Sequence, residues 1–327
     1  MSRTAFTLAI LVCVLNAAEV FAQPAGSAWP SRQVRMIVPF ATGGPTDIVA
    51  RVIAQKLFAE FNVPFIVDNR SGGGGVIGSD AAAKSPPDGY TLLVGSPGTM
   101  AINPALLKDL PYSPTTDLIA LSHAASFPHL LAVHSSLPVK NVRELIALAK
   151  SKPDSIMYAS SGVGSTSHLE GAYLANQTGT RLNHVPYRGG SLPLQALLSG
   201  EVMMTFDALP IFSSYLQSGR IRVLGVSTAK RSPSIPQIPT LAESGVPGFD
   251  LYSWVLFAAP KGLPPDVAAR INAAIAHTIH SPEMKARFAD VGADPVGSDL
   301  AGASSFLQTE LAKWKKIVEI SGAKTND

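Results

Sequence analysis

Short apolar segments alternate along this chain with longer segments of helical periodicity. Residues 34–38 (VRMIV) are apolar and rich in β-branched side chains, which predicts a buried strand. From residue 48 to residue 61 the apolar positions recur every three or four residues, which predicts an amphipathic helix. Gly43 and Gly44 between them allow a tight turn, and Pro45 suits the first position of a helix. The predicted unit is a strand, a bare loop and a helix.

The same alternation recurs through the rest of the chain. Further strands are predicted at residues 64–69, 90–94, 127–133, 156–159, 184–187, 202–206, 223–226 and 252–258. Helices are predicted at residues 142–151, 192–198, 211–218, 265–280, 282–290 and 303–320. Strands that alternate with helices are typical of an α/β protein with parallel sheets.

This order of elements predicts two lobes. The chain is expected to leave the first lobe near residues 122–127 and to return near residues 250–256, with the C-terminal helices packed on the first lobe. The first lobe then comprises residues 29–125 plus 251–327, and the second comprises residues 126–250. Two crossings make a hinge, and ligands commonly bind in the cleft at such an interface.

Two loops have the composition of an anion-binding site. Residues 39–47 (PFATGGPTD) and 160–167 (SSGVGSTS) each connect a predicted strand to a predicted helix. The free N–H groups at a helix start attract carboxylates and phosphates, and two opposed starts would suit a negatively charged ligand. The alternative is that residues 167–170 (SHLE) form a capping box and that the serines only close the helix end.

Other polar residues follow predicted strands of the second lobe, at the edge where ligands bind in open α/β sheets. Tyr187 is a candidate wall of the pocket, and Arg188 is either a partner for an acid or a surface residue. Asp207 beside an anion would be unfavourable unless it holds a cation, a ligand ammonium group or the hinge, so its role stays open. His168 either lines the cleft or packs, and Trp254 is predicted to pack at the hinge.

Composition narrows the class of protein. The chain has 327 residues and a net charge of only +3. Because no basic run is interleaved with aromatic residues either, a nucleic-acid partner is not expected. Arg3 precedes an apolar run at residues 5–18, and small residues precede Gln23, which predicts a signal peptide at residues 1–22. The single cysteine, Cys13, lies in that segment. We therefore expect an exported protein without disulfides.

Known cofactor and catalytic motifs are incomplete or absent. Residues 73–78 match G-x-G-x-x-G, but the next predicted strand ends in Gly95 and Ser96 where a dinucleotide site needs an acidic residue. The sequence has no Walker lysine after residues 162–167, no G-x-S-x-G and no H-E-x-x-H. It thus predicts no cofactor, no metal and no catalytic residue, although an enzyme acting on a carboxylate substrate is a distant alternative.

Several of these segments together resemble one family. They are residues 37–51 (IVPFATGGPTDIVAR), 68–78 (DNRSGGGGVIG), 160–169 (SSGVGSTSHL), and 185–190 with 200–207. The chain resembles the Bug-type extracytoplasmic solute receptors, the binding components associated with tripartite tricarboxylate transporters. The resemblance covers the chain beyond the predicted signal peptide.

The resemblance implies an α/β, type II periplasmic-binding-protein fold, with two βα lobes joined by two crossing strands around an interlobe cleft. It implies a periplasmic receptor, predicted to be a monomer, that captures a small carboxylated organic acid by lobe closure. The receptor would deliver this acid to the membrane permease subunits of a tripartite tricarboxylate transporter. The alternative is a sensor that presents the bound acid to a membrane signalling protein.

The resemblance also implies how the ligand is held. The loops at residues 40–47 and 160–168 would grip a carboxylate through backbone amides and ordered water, and residues 96–99 and two strand ends would complete the pocket. The predicted ligand-binding residues are Phe40, Ala41, Thr42, Gly43, Gly44, Thr46, Asp47, Ser96, Thr99, Ser160, Ser161, Gly164, Ser165, Thr166, Ser167, His168, Tyr187 and Asp207.

Overall fold

The computed structural model describes residues 29–187 and 191–324. The predicted signal peptide at residues 1–22 and the candidate residue Arg188 lie outside the described residues. Within the described residues, no helix is both long enough and apolar enough to cross a lipid bilayer.

The larger of two sheets contains six strands. They are β1 (Val34–Val38), β2 (Phe65–Asn69), β3 (Thr91–Gly95), β4 (Leu118–Phe127), β10 (Ser253–Pro260) and β11 (Asp294–Pro295). Their order in the sheet is β11-β4-β10-β3-β1-β2. Strand β1 pairs in parallel with β2 and β3, whereas β10 runs antiparallel to β3 and β4. The carboxyl ends of β1 and β3 therefore meet at one edge, where their loops lie side by side.

The smaller sheet contains five strands. They are β5 (His129–His134), β6 (Met157–Ser160), β7 (Asn183–Pro186), β8 (Met204–Ala208) and β9 (Ile221–Val226), in the order β7-β6-β8-β5-β9. Strand β6 is parallel to β7 and β8. Only Pro128 separates β4 in one sheet from β5 in the other, and residues 227–252 return the chain to β10. The chain therefore crosses between the sheets twice.

Ten helices accompany the sheets within the described residues. They are α1 (Pro45–Phe61), α2 (Val76–Ala83), α3 (Asn103–Leu106), α4 (Val142–Ser151), α5 (Thr166–Thr178), α6 (Leu192–Ser199), α7 (Leu209–Phe212), α8 (Pro265–His280), α9 (Pro282–Asp290) and α10 (Leu300–Ser321). Single helical turns occur at Gly73–Gly75, Gly98–Ile102 and Ser213–Tyr215. Side-chain caps fix several starts: Asn141 accepts the Glu144 N–H before α4, and Asp299 accepts the Gly302 N–H before α10.

Apolar faces of the helices bury both sheets. Val49, Ile53 and Leu57 on α1 and Ile271 and Ile275 on α8 are almost inaccessible and belong to one cluster with the larger sheet. Burial of each such side chain contributes roughly 1.5–3 kcal/mol, so this face fixes α1 on the sheet. The start of α1, which carries the first predicted binding loop, is therefore held on a rigid support.

Two predicted elements were wrong in extent. Strand β4 spans Leu118–Phe127, although no strand was predicted at residues 118–126. Its polar residues obscured the pattern, because Ser122 and His123 are buried and bond to Ser298 instead of facing water. The helix predicted at residues 211–218 is α7 followed by a single turn, and the Ser213 hydroxyl there donates to Pro210 O.

Candidate functional site

A cavity of about 890 Å³ is lined by residues from both sheets and from the helix starts beside them. A volume of this size is typical of small-molecule sites. The predicted binding residues that line it are Phe40, Gly44, Thr46, Asp47, Ser96, Ser161, Gly164, Ser165, Thr166, Ser167 and Asp207. The structure thus brings both predicted loops to one cavity.

The start of α1 presents backbone N–H groups to the cavity. Gly44 is the N-cap in extended conformation, and Pro45 follows as the first helical residue. The Ile48 N–H donates to Gly44 O. Among the described residues, none accepts a hydrogen bond from the Thr46 or Asp47 N–H. These amides, at the positive end of the helix dipole, are available to an anion.

The Asp47 side chain holds this loop in place through hydrogen bonds. Its Oδ2 accepts hydrogen bonds from Gly43 N and Arg51 Nε, both at 2.9 Å, and its Oδ1 accepts from Asn69 Nδ2 at 2.9 Å. Asn69 Nδ2 also donates to Phe40 O. Burial would raise the pKa of Asp47, but these hydrogen bonds outweigh it and hold the pKa below its usual value. Both carboxylate oxygens are committed to the protein, so Asp47 acts on the loop and not on a ligand.

The start of α5 has the same form on the smaller sheet. Ser165 is the N-cap: its Oγ accepts the His168 N–H at 3.3 Å and donates to Gly162 O at 2.7 Å. Ser167 Oγ accepts the Ser161 N–H at 3.1 Å. Within the described chain, the Thr166 and Ser167 N–H groups have no acceptor. The predicted capping box at residues 167–170 was wrong, because the N-cap is Ser165 and the Glu170 carboxylate bonds to His129 instead. The serine hydroxyls still close the loop, while the amides of the first turn stay available.

Two stacked histidines support this second loop from behind. The rings of His168 and His184 lie 4.0 Å apart. His168 Nδ1 accepts the Gly164 N–H at 3.1 Å, and His184 Nε2 lies 2.6 Å from Ser160 Oγ. Burial lowers the pKa of His168, and burial together with His168 lowers the pKa of His184 to about 4. Both rings are therefore neutral near pH 7, which the hydrogen bond accepted by His168 requires.

Much of the cavity lining is apolar. Its apolar lining includes Phe40, Val76, Leu106, Leu107, Phe127, Val163, Trp254 and Val255. Gly164 has a φ of +77°, and a Cβ there would overlap Leu106, so glycine allows the α5 loop to approach the opposite wall. This arrangement suits a ligand with an apolar carbon skeleton between polar ends.

The floor of the cavity holds a buried polar network at the crossing between the sheets. His129 Nδ1 lies 2.8 Å from Glu170 Oε2, and His129 Nε2 lies 2.9 Å from Ser253 Oγ. Asp207 Oδ1 accepts the Ala208 N–H at 2.8 Å. The three elements β5, α5 and β10 therefore meet through one imidazole.

Charge is unevenly compensated in this network. Burial would lower the pKa of His129, but Glu170 outweighs it and the pKa of His129 is raised. Burial raises the pKa of Glu170 and of Asp207, and the attraction of His129 offsets only part of each shift. His129 thus hydrogen-bonds to Glu170 and attracts Asp207 only through its charge.

The remaining predicted binding residues lie off the cavity lining, for identifiable reasons. The loop-tip residues point to solvent, the hydroxyl residues bond within their own loops, and the aromatic residues support the site from outside. These residues are Ala41, Thr42, Gly43, Thr99, Ser160, His168 and Tyr187. Thr99 Oγ1 bonds to the backbone of Ser96, and the Tyr187 hydroxyl lies 2.7 Å from Glu201 Oε1, so the prediction that Tyr187 forms a wall was wrong.

Sequence reasoning missed part of the lining. Asn103, His129 and Ser253 line the cavity together with the glycine turn Gly73–Gly75, whose Gly74 O accepts from Asn103 Nδ2 at 3.1 Å. Trp254, predicted only to pack, also lines it. The one available signal was the position of Gly73 and Gly74 after a strand, the same pattern that marked the first loop.

The electrostatic character of the site comes from backbone dipoles. No lysine or arginine occurs in the lining within residues 29–187 and 191–324. In that same part of the chain, no group of three or more His, Cys, Asp or Glu side chains is arranged to hold a metal ion. The arrangement can therefore bind an anion through amides at helix starts.

Comparison with known proteins gives one consistent family. The family described as "Tripartite tricarboxylate transporter family receptor" matches residues 49–323. Protein BugT from Bordetella pertussis is 34% identical over 318 residues, which cover 97% of this chain and 98% of BugT. Both matches confirm the predicted resemblance to Bug-type receptors.

Solved structures agree with this result. Rpa4515 from R. palustris, solved with adipate, is 38% identical with a TM-score of 0.82, and the match covers 91% of this chain and 99% of Rpa4515. MatC from Rhodopseudomonas palustris, solved with bound malate, is 31% identical with a TM-score of 0.76, and the match covers 89% of this chain and all of MatC (100%). These similarities confirm the α/β, type II periplasmic-binding-protein fold.

Proposed function

Because the chain belongs to the family of tripartite tricarboxylate transporter receptors, we propose that it captures a small carboxylated organic acid in the cavity described above. The family consists of solute-binding receptors rather than enzymes. The observation that carries the proposal is the pair of helix starts, at Thr46 and Thr166, that line one cavity with unpaired amides. Amides at a helix start stabilise a carboxylate through charge-assisted hydrogen bonds.

The chemistry of the lining supports an organic acid over an inorganic anion. Much of the lining is apolar, and burial of a short carbon skeleton against it would add about 0.8 kcal/mol per methylene group. The similar proteins Rpa4515 and MatC were solved with adipate and malate, which are both dicarboxylates. A dicarboxylate of about four to six carbons is therefore the first ligand class to test.

Capture proceeds in this proposal by closure of two lobes, residues 29–125 plus 251–327 and residues 126–250. An anion that contacts both helix starts binds the closed form more tightly and shifts the population towards it. Receptors of this family are periplasmic, and the closed receptor would deliver its ligand to the membrane permease subunits of a tripartite tricarboxylate transporter. We expect the receptor to act as a monomer, which agrees with the supply of both sides of the cavity by one chain.

A thermal-shift screen with a matched pair of variants tests this proposal. The wild type should gain a few kcal/mol of stability at a ligand concentration of about 100 Kd. Gly44→Glu places a carboxylate at the helix start, where a Cβ meets nothing nearer than Ala41 O at 4.0 Å, so the fold should persist while the ligand-induced shift is lost.

The Gly44→Ala variant controls for the added Cβ. Alanine adds a Cβ to the same extended backbone as glutamate does, but it adds no charge. Gly44→Ala should therefore keep most of the ligand-induced increase in stability. A Gly44→Glu protein that is stabilised by the acid as strongly as the wild type would contradict the proposed site.

A further inference from the structure

Asp207 lies beside the second helix start, and the register of the smaller sheet fixes its place. Strands β6 and β8 are parallel, with Ala159 opposite Thr205. Ser161 and Asp207 each follow this pair by two residues, so both lie at the carboxyl ends of neighbouring parallel strands, and both line the cavity. On its other side, Asp207 is paired with Leu130 of β5. The carboxyl group thus borders the loop that precedes α5.

One oxygen of Asp207 has no protein partner among the described residues. Oδ1 accepts the Ala208 N–H at 2.8 Å, and no hydrogen bond reaches Oδ2. The nearest base cannot serve it, because both nitrogens of His129 are already engaged, one with Glu170 and one with Ser253. Since Asp207 lines the cavity, its second oxygen is available to a ligand.

Charge balance points in the same direction. The positive charge of His129 is already paired with Glu170 Oε2, and Glu170 Oε1 is buried without a hydrogen-bond partner among the described residues. No lysine or arginine of the described lining offsets Asp207. Asp207 is only partly buried and lines the cavity, so a ligand that displaces water from its second oxygen must supply a donor in return.

We propose that Asp207 accepts a hydrogen bond from a hydroxyl or ammonium group on the carbon next to the bound carboxylate, so that the receptor selects acids with a protic donor at that carbon. This inference rests on the proposed function, because it assumes that the carboxylate is held at the start of α5. Thr166 and Asp207 line the same cavity, so a ligand held at the start of α5 has both within its site.

The substitution Asp207→Asn separates this role from a structural one. The asparagine keeps the size of the side chain, and its carbonyl oxygen can retain the hydrogen bond from Ala208 N–H. Its NH₂ group then faces the cavity, where it meets the ligand donor with another donor. The variant should therefore fold, bind an unsubstituted acid and lose the advantage of a substituted one.

The experiment is calorimetric titration of the full chain with succinate, malate and aspartate, which differ at one carbon by hydrogen, hydroxyl and ammonium. The wild type should bind malate or aspartate at least about tenfold more tightly than succinate, the value of one hydrogen bond to a charged acceptor. Asp207→Asn should abolish that ratio while it retains succinate. The preferred ligand then identifies whether hydroxyl or ammonium is the donor.

Asp294→Asn is the matched control, since Asp294 is a half-buried aspartate outside the lining whose pKa burial also raises. It should leave all three affinities unchanged. Equal binding of the three acids by the wild type, or a ratio that Asp207→Asn leaves intact, would overturn the inference although the proposed function stands. Failure of the wild type to bind these acids and adipate alike would refute the proposed function, and the inference with it.

Discussion

Single residues at the binding loops divide into those that present backbone amides and those that hold the backbone in place. Asp47, Arg51 and Asn69 are hydrogen-bonded to one another around the first loop, and Asp47 is only 3% exposed. On the second loop, neutral histidines do the same work by accepting or sharing hydrogen bonds. The amides are thus preorganised before a ligand arrives, which reduces the entropy cost of binding.

Removal of the Asp47 carboxylate should destabilise the protein. Asp47→Ala removes the acceptor of the Gly43 N–H, of Arg51 Nε and of one of the two hydrogen bonds that Asn69 Nδ2 donates, so we expect a loss of about 2–4 kcal/mol in the free energy of unfolding. Chemical denaturation measures it. Asp290 is exposed, so the free energy of unfolding of the control Asp290→Ala should stay within about 0.5 kcal/mol of the wild-type value. An Asp47→Ala protein as stable as this control would refute the role of Asp47 in holding the loop.

The His168–His184 pair predicts a pH dependence with a definite sign. The folded pKa of His184 is about 4, below the unfolded value of 6.5, so between these values the unfolded chain binds more protons than the native one. Stability contributed at pH 7 should therefore fall as the pH drops from about 6.5 towards 4. His184→Phe keeps an aromatic ring and cannot titrate, so its stability measured over this window should be flatter than that of the wild type. Parallel curves would contradict the assignment.

At the scale of elements, the C-terminal helix α10 supports a wall of the cavity. Glu310 is 2% exposed, and its Oε2 accepts the indole N–H of Trp254 at 2.7 Å and that of Trp314 at 2.9 Å. Trp254 is the second residue of the return strand β10 and lines the cavity. The last helix in the chain is therefore fastened to the site through one carboxylate.

Loss of that carboxylate should be felt by the whole protein. Glu310→Ala buries two indole N–H groups without acceptors, and each should cost about 1–3 kcal/mol. Thermal unfolding of this variant should show a clear decrease in Tm. The exposed Glu319 on the same helix is the matched control, and Glu319→Ala should leave the Tm nearly unchanged. Equal Tm values for the two variants would rule out the proposed fastening.

Local patterns were predictable from the sequence, and distant pairings were not. Helix α4 has the predicted bounds because its apolar spacing and its Asn141 cap are contained in the segment itself. The two helix-start loops that line the cavity were predictable for the same reason, since strand, glycine and helix start are contiguous. The floor of the cavity was not, because His129 meets a residue 41 positions away in Glu170 and one 124 positions away in Ser253. Nothing in the local sequence of His129 announces either partner.

At the scale of the whole molecule, closure of the two lobes requires the two crossings between the sheets to act as a hinge. Saturation with a bound acid should then lower the radius of gyration measured by small-angle X-ray scattering, because the closed form is more compact. Gly44→Glu, which cannot bind, should show no change when the same acid is added. An unchanged radius for a saturated wild type would argue for a rigid site without closure.

The most direct test of the central claim is an amide NMR titration of the labelled protein with malate or another acid that binds. We expect the N–H signals of Thr46, Asp47, Thr166 and Ser167 to shift together, with one midpoint and a stoichiometry of one ligand per chain. Shifts at only one helix start, or at neither, would show that the two starts do not share a single carboxylate ligand.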